Sequence, residues 1–226
     1  MPFRGFTEET LNYFLSVQID NSKSNFERLR PLYYEHVRDR LRYLHEELVP
    51  AMLEIDSDIC VKRNRCVSGA YNDARYSKAE PVKGYMYLHF CAGTERKEDI
   101  PGFFMDASYE GYRFGMQIYH GTPAGMKKLR ETAEADIKNF SRIISDIEKN
   151  DLFALSGSDY KTDRCPGASP EIKKWLNKKS WLVRAERPAD GIFFTREFAD
   201  LLADGFGSLK PLYLFAVRGL RQNEGL

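Results

Sequence analysis

The stretch "FFMDASYEGYRFGMQIYHG", residues 103–121, decides the fold class. Apolar and polar residues alternate on both sides of Glu110-Gly111, a pattern typical of a β-hairpin with its turn at that pair. Two neighbouring runs, "ICVKRNRCV" (residues 59–67) and "YMYLHFCAG" (residues 85–93), also predict strands. Because short connections join antiparallel strands, these segments predict a largely antiparallel sheet.

Helices are predicted before this group of strands. Thr7 is a suitable N-cap for a first helix, and Ser24 with Glu27 forms a capping-box pattern for a second. Pro31 is expected in the first turn of the next helix, where its missing N–H costs little. That third helix is long and amphipathic, with a possible bend at Pro50, and its apolar positions are Val37, Leu41, Leu44, Leu48, Met52 and Ile55.

Helices return after the hairpin. Thr122 and Pro123 begin a helix that is expected to break near Ala135, and a shorter helix begins at Pro170. A strand at residues 180–186 comes next, and two helices, at residues 195–206 and 211–222, close the sequence. Strands grouped between helices predict an α+β fold. We expect one domain over residues 1–226, with a largely antiparallel central sheet covered by several helices.

Composition narrows the class of protein. The formal net charge is +1, which makes duplex nucleic acid an unexpected partner. No run approaches the roughly 18 apolar residues of a membrane span, and the first residues do not resemble a signal peptide. Four cysteines without zinc-finger spacing are typical of buried thiols in a reducing compartment. The expected location is the cytoplasm, with no membrane contact, and the sequence does not indicate an oligomeric state.

Residues 62–85 concentrate positive charge. Between residues 62 and 83, six basic residues outnumber two acidic ones: Lys62, Arg63, Arg65, Arg75, Lys78 and Lys83 against Asp73 and Glu80. Arginine can bind a phosphate or carboxylate with two hydrogen bonds, and lysine adds charge. Asp73, two residues before Arg75, is positioned to orient the guanidinium. The alternative is that Asp73 and Arg75 form an ion pair that only fixes the loop.

The same segment resembles the signature of a bacterial family of conserved hypothetical proteins, a domain of unknown function. The family pattern is R-x-x-R-D-x-R-F, followed by Ser, a basic residue, an acid-lysine pair and a Pro-Tyr-Lys element; here the pair is shortened to Ala79-Glu80 and Val82 replaces the tyrosine. Its matches here are Asp73, Arg75, Tyr76 (for Phe), Ser77, Lys78, Pro81 and Lys83, whereas Gly69 and Asn72 replace the first two arginines. The resemblance continues through "HGTPAGMKKLR" and "YKTDRCPG", and implies an α+β fold without an assigned activity, cofactor or catalytic residue.

Histidines offer a second candidate constellation. His89 alternates with Tyr85 and Tyr87 on one strand face, and could share a sheet face with Tyr87, Gln117, Arg113 and the Arg75 loop. His36 and His45 are expected on the surface of the long helix. No metal-binding or cofactor-binding motif is present, so neither a metal nor a cofactor is expected. A later basic cluster, Lys161, Arg164, Lys173, Lys174, Lys178 and Lys179, is either a solvated face around a core Trp175 or a second anion-binding surface.

Three functional hypotheses follow. The first is a cytoplasmic binding protein for an anionic ligand, phosphate- or carboxylate-bearing, with Arg65, Asp73, Arg75, Tyr76, Lys78 and Lys83 as ligand-binding residues. The second is an enzyme that acts on a phosphorylated small molecule or nucleotide, with His89 or Asp73 as the acid–base group. The third is a structural or interaction protein in which residues 62–85 organise the fold and no small molecule binds.

Overall fold

The fold is described from a computed structural model, which covers residues 2–73, 75, 77, 80–93 and 98–221. In these residues one antiparallel sheet has the strand order β1-β2-β3-β5-β4. The strands are β1 (Tyr85–Cys91), β2 (Ile100–Ser108), β3 (Gly111–Tyr119), β4 (Ala154–Ser156) and β5 (Leu182–Arg187). The α+β class and the antiparallel sheet predicted from residues 103–121 are therefore confirmed.

Helices precede the first strand in the chain, and further helices follow the third. The N-terminal ones are α1 (Glu8–Ile19), α2 (Lys23–Leu32), α3 (Asp39–Ile55) and the short α4 (Arg63–Cys66). A π-helical turn, Tyr33–Arg38, joins α2 to α3. The later ones are α5 (Pro123–Ala135), α6 (Ile137–Lys149), α7 (Pro170–Leu176), a 3-10 turn at Gly191–Phe194 and α8 (Glu197–Arg221).

One face of the sheet is apolar and lies under α8 and α3. Helix α8 packs on β2 and β3, while α3 packs on β1. The Phe103 ring of β2 contacts Phe206 and Tyr213 of α8, with ring centroids 5.2 and 4.8 Å away. Gly205 allows this close approach, because a Cβ there would lie 2.6 Å from the Phe114 ring. Burying this face supplies most of the hydrophobic driving force for the fold.

Several predicted helix boundaries agree with the structure and others do not. Thr7 and Thr122 are N-caps, and the break near Ala135 is present between α5 and α6. Helix α2 is capped by Ser22, whose hydroxyl accepts a hydrogen bond from the Asn25 amide, so the predicted Ser24 capping box is wrong. Pro31 lies inside α2, and not at the start of the next helix.

The last two predicted helices are one helix, α8, with Pro211 in its interior. Proline removes one backbone hydrogen bond and usually breaks a helix. Here Leu209, Leu212 and Tyr213 on either side of it are fully buried on one continuous face. The burial of that face offsets the local cost of the proline.

The strand predicted at residues 59–67 is also wrong. Only Ile59 and Val67 make isolated bridges, to Ala92 and Leu88, and α4 lies between them. The four consecutive polar residues 62–65 interrupt the alternation that a strand with one buried face requires. The Cys66 thiol instead turns back to donate to the Cys60 carbonyl at 3.1 Å.

Candidate functional site

The second face of the sheet carries polar and aromatic side chains, and we call it the polar face. Strand register aligns Tyr87, Asp106, Arg113 and Glu186 in one row across β1, β2, β3 and β5. Residues two positions away on a strand share its face, which adds Tyr85, His89, Gln117, Tyr119 and Arg184. His89, Tyr87, Gln117 and Arg113 therefore share a sheet face, as the alternation of their strands predicts.

Ion pairs organise the charges of this face. The Arg113 Nε donates to the Asp106 Oδ1 at 2.8 Å, and Arg184 pairs with Glu186 at 3.0 Å. Burial raises the pKa of Asp106, and the adjacent Arg113 opposes that rise. Asp106 is thus a carboxylate of raised proton affinity on a sheet face, beside a guanidinium.

A cavity of about 660 Å³ lies at the end of the sheet where β2 turns into β3. Its wall includes Asp106, Arg113 and Glu186 from the polar face, and Tyr109, Glu110 and Tyr112 from the hairpin. The wall is completed by the C-terminal part of α1, by Arg187 and Pro188, and by Asn72, Glu80, Gly84 and Tyr85. Small-molecule pockets typically measure roughly 300–1,000 Å³. The cavity is therefore large enough for a metabolite.

One wall of this cavity is formed by Asn72, Glu80, Gly84 and Tyr85, and hydrogen bonds fasten this part of the chain to the helical layer. The Asn21 side chain donates to the Val82 carbonyl and accepts from the Val82 amide, both at 2.9 Å. The Asn72 side chain donates to the Glu80 carbonyl at 2.8 Å. The Tyr71 ring meets Phe26 of α2 edge-on, with centroids 5.0 Å apart. Part of the segment thus has a structural role.

The acid–arginine contact predicted within the segment is present. Arg75 binds Asp73 through Nη2 at 2.5 Å and Nε at 3.0 Å, and its amide donates to the same carboxylate at 3.0 Å. These hydrogen bonds lower the pKa of Asp73 to about 2. The Arg75 side chain is 78% exposed, and neither residue belongs to the cavity wall.

The other predicted binding residues are less closely grouped. The Lys83 ammonium donates to the Tyr71 carbonyl, and burial lowers its pKa. Arg65 is exposed on α4, beside β1. Tyr76 and Lys78 lie outside the described residues. None of the described cations among them, Arg65, Arg75 and Lys83, belongs to the cavity wall, so their role as ligand-binding residues stays a prediction.

His89, the first acid–base candidate, lies away from the cavity wall. Its ring stacks on Tyr87, with centroids 4.4 Å apart, and its Nε2 is hydrogen-bonded to the Tyr119 hydroxyl. Burial lowers its pKa to about 4. General bases work best when their pKa lies near the working pH. With pKa values of about 4 and about 2, His89 and Asp73 are therefore weak bases at neutral pH.

The second basic cluster does not share the cavity. Lys178 of this cluster forms a β-bridge with Asp159 beside β4. The first basic cluster includes α4, which contacts β1 at the opposite edge of the sheet. Ion pairs of 2.8 to 3.0 Å join Lys173 to Asp163, Lys174 to Glu148 and Lys178 to Asp159. Trp175 is fully buried, as predicted for a core residue.

His45, Cys60 and Cys66 are buried beside α3 and β1. The prediction of a surface His45 is wrong, because its ring is buried and stacks on Phe90 with centroids 5.4 Å apart. Cys60, Cys66 and Cys91 are free thiols, and burial raises the pKa of both Cys66 and Cys91 to about 12. In the described part of the chain, no three metal-binding side chains converge on one point.

Comparison with known proteins gives a family for the chain. Residues 9–215 match the family described as "Conserved hypothetical protein (DUF2461)". The chain belongs to the DUF2461 family. No curated protein matches the sequence. Within the described residues of this DUF2461 protein, no helix combines the length and apolar character needed to cross a membrane.

Sequence reasoning did not single out Asp106 or Glu186 of the DUF2461 protein. Both lie in alternating strands and look like ordinary solvent-facing residues there. Their alignment with Arg113 depends on the pairing of β3 with both β2 and β5. The predicted turn at Glu110-Gly111 would pair Asp106 with Gly115, whereas the turn in the structure is Tyr109-Glu110, which pairs Asp106 with Arg113.

Proposed function

We propose that this DUF2461 protein is a cytoplasmic binding protein for a small ligand with an anionic group, phosphate or carboxylate, and that the ligand occupies the cavity at the end of the sheet. The observation that supports this proposal is the position of Arg187. Arg187 is exposed in the cavity wall and forms no ion pair with another described residue. An arginine available for bidentate binding, in a cavity of metabolite size, is suited to an anion.

The neighbouring charges support the same site. Arg113 lines the cavity and keeps its charge while it pairs with Asp106. Lys83 directly precedes Gly84 of the cavity wall, and Arg75 lies in the same segment, between the wall residues Asn72 and Glu80. In this proposal Arg187 contacts the anion, and the positive charges of Arg113, Arg75 and Lys83 favour it at longer range.

A thermal-shift screen of phosphorylated and carboxylated metabolites tests this function. A ligand at about 100 times its Kd stabilises the folded state by roughly 2.7 kcal/mol, which gives a clear rise in Tm. We expect wild type to respond, Arg187→Ala to lose the response, and Arg75→Ala to weaken it. Arg142→Ala, which changes an exposed arginine on α6, is the matched control and should respond like wild type.

Two results would contradict the proposal. The first is that no anion stabilises wild type at millimolar concentration. The second is that Arg187→Ala and Arg142→Ala respond equally, which would place the anion elsewhere on the surface. In that case the third hypothesis, a fold-organising role for residues 62–85, becomes the better explanation, and the Asn21–Val82 hydrogen bonds already fit it.

A second candidate function is an enzyme that acts on the same anionic ligand. Asp106 favours it, because this carboxyl lines the cavity, has a pKa raised by burial, and lies beside Arg113. In this alternative Asp106 replaces His89 or Asp73 as the acid–base group. Asp106→Asn should then abolish turnover of a bound ligand while its Kd changes little, whereas in a pure binding protein the bound ligand is recovered unchanged.

A further inference from the structure

The cavity wall carries more negative than positive charge. Its carboxylates are Glu80, Asp106, Glu110 and Glu186, and its guanidiniums are Arg113 and Arg187. Asp106 is neutralised by Arg113, and Glu186 by Arg184 from outside the wall. Glu80 and Glu110 form no ion pair with any described residue, and the Glu110 carboxylate only accepts the Tyr109 hydroxyl at 3.2 Å. An anion alone would leave these two carboxylates uncompensated.

Aromatic rings stand at the same cavity. Tyr85 and Tyr109 line the cavity and are 42% and 39% exposed, and such large apolar side chains are usually more buried. The face of a tyrosine ring attracts an ammonium or guanidinium group. Carboxylates together with exposed tyrosine rings therefore provide two kinds of contact for a cation.

We propose that the ligand is zwitterionic, with an amine or guanidine group held by Glu80, Glu110 and the rings of Tyr85 and Tyr109 while its anionic group contacts Arg187. This inference rests on the proposed function, since it assumes that the anion occupies the same cavity. It adds the chemical class of the ligand: a small molecule with separated positive and negative groups, such as an amino acid or an amino-alkyl phosphate.

Matched probes test the inference. O-phosphoethanolamine and 4-aminobutyrate carry both charges, ethyl phosphate and butyrate lack the amine, and ethanolamine lacks the anion. Their binding to the full chain can be measured by ligand-observed NMR titration up to about 10 mM, where weak binding with a millimolar Kd is detectable. We expect at least one zwitterion to bind tenfold or more tightly than both of its singly charged counterparts. We also expect Glu80→Gln/Glu110→Gln to remove that tenfold preference, and Glu131→Gln, the same change on exposed α5, to keep it.

The outcomes separate the two proposals. If ethyl phosphate or butyrate binds as tightly as its zwitterionic partner and Arg187→Ala abolishes both, the anion site stands and the zwitterion inference is overturned. If ethanolamine binds as tightly as the zwitterions, the proposed anion-binding function fails. If no probe binds, both proposals are rejected. If Glu80→Gln/Glu110→Gln prefers the zwitterion as strongly as wild type does, the cationic group of the ligand does not contact these two carboxylates.

Discussion

Asp106 and Arg113 face each other directly across β2 and β3, and the carboxylate, whose side chain is 18% exposed, receives the guanidinium at 2.8 Å. Tyr87 flanks this pair on β1 and Glu186 flanks it on β5. The pair therefore stands at the centre of a polar row that spans four strands, and it also forms part of the cavity wall. Its electrostatics can be tested without any ligand.

Replacing Arg113 with alanine should reveal the free-energy cost of burying the Asp106 carboxylate. We expect Arg113→Ala to lower the free energy of unfolding by about 1–2 kcal/mol at pH 7, because a mostly buried carboxylate loses its partner. The folded-state pKa of Asp106 then rises further, so the penalty shrinks as pH falls below that value and is lost near the unfolded-state pKa of about 3.9. Urea unfolding at pH 7 and pH 4 measures both values. A loss that is equal at the two pH values would contradict this account, and Arg142→Ala should lose little at either.

His89 should stay neutral well below the usual imidazole range. Burial lowers its folded-state pKa to about 4, whereas an unfolded chain has a value near 6.5. Titration of the His89 ring protons by NMR should show a midpoint close to 4 in the folded protein. A midpoint near 6.5 would mean that water reaches the ring.

The same shift makes stability depend on pH. The depressed pKa contributes stability that is complete above pH 6.5 and is lost as pH falls towards 4, an effect of about 3 kcal/mol. Between pH 7 and pH 4, wild type should therefore lose about 3 kcal/mol more than His89→Gln in urea unfolding. Similar losses in the two proteins would assign the acid sensitivity to carboxylates.

Asn21 should anchor the cavity wall on either side of Val82, at Glu80 and Gly84. Asn21→Ala removes both hydrogen bonds to Val82, and we expect a loss of about 1–3 kcal/mol, because the Val82 N–H and C=O lose their partner. Hydrogen exchange should show faster exchange of the Val82 amide than in wild type. Asn12→Ala, at an exposed position of α1, is the control. Unchanged Val82 protection in Asn21→Ala would show that other contacts hold the loop.

The Asp73–Arg75 contact should be visible in a carboxyl titration. Hydrogen bonds from Arg75 lower the pKa of Asp73 to about 2, so Arg75→Ala should return it towards its ordinary value near 4. Both groups are exposed, and we expect Tm at pH 7 to change little. A carbon-detected NMR titration of Asp73 gives the pKa, with Lys127→Ala on α5 as a control that should leave Asp73 unchanged. A large fall in Tm would assign Arg75 a structural role instead.

Local patterns predicted much of the fold because local chemistry determined it. The alternation along residues 103–119 predicted the hairpin, although its turn is Tyr109-Glu110 and not Glu110-Gly111, and Pro123 after Thr122 predicted the start of α5. The two-residue spacing of Asp73 and Arg75 was enough to predict their contact. Predictions failed where distant packing outweighed local preference, as at Pro211, whose helix continues because its apolar face is buried.

The candidate site was less predictable because it is assembled from segments far apart in the chain. Asn21 and Val82 form their two hydrogen bonds across 61 residues. Glu186 joins the row of Asp106 and Arg113 only because β5 pairs with β3, and no local pattern indicates that strand order. The sequence thus identified the basic segment beside the cavity but missed the carboxylates that line it.

The two edges of the sheet also bear on how the protein behaves at high concentration. On the β1 side, bridges from Ile59 and Val67 cover backbone groups of the edge strand and its extension, and β4 on the other side is only three residues long. Long, uncovered edge strands are templates on which other chains add and polymerise. Neither outer strand provides such a template here, so self-association by strand addition, and the fibrils that it can start, are disfavoured by the architecture itself.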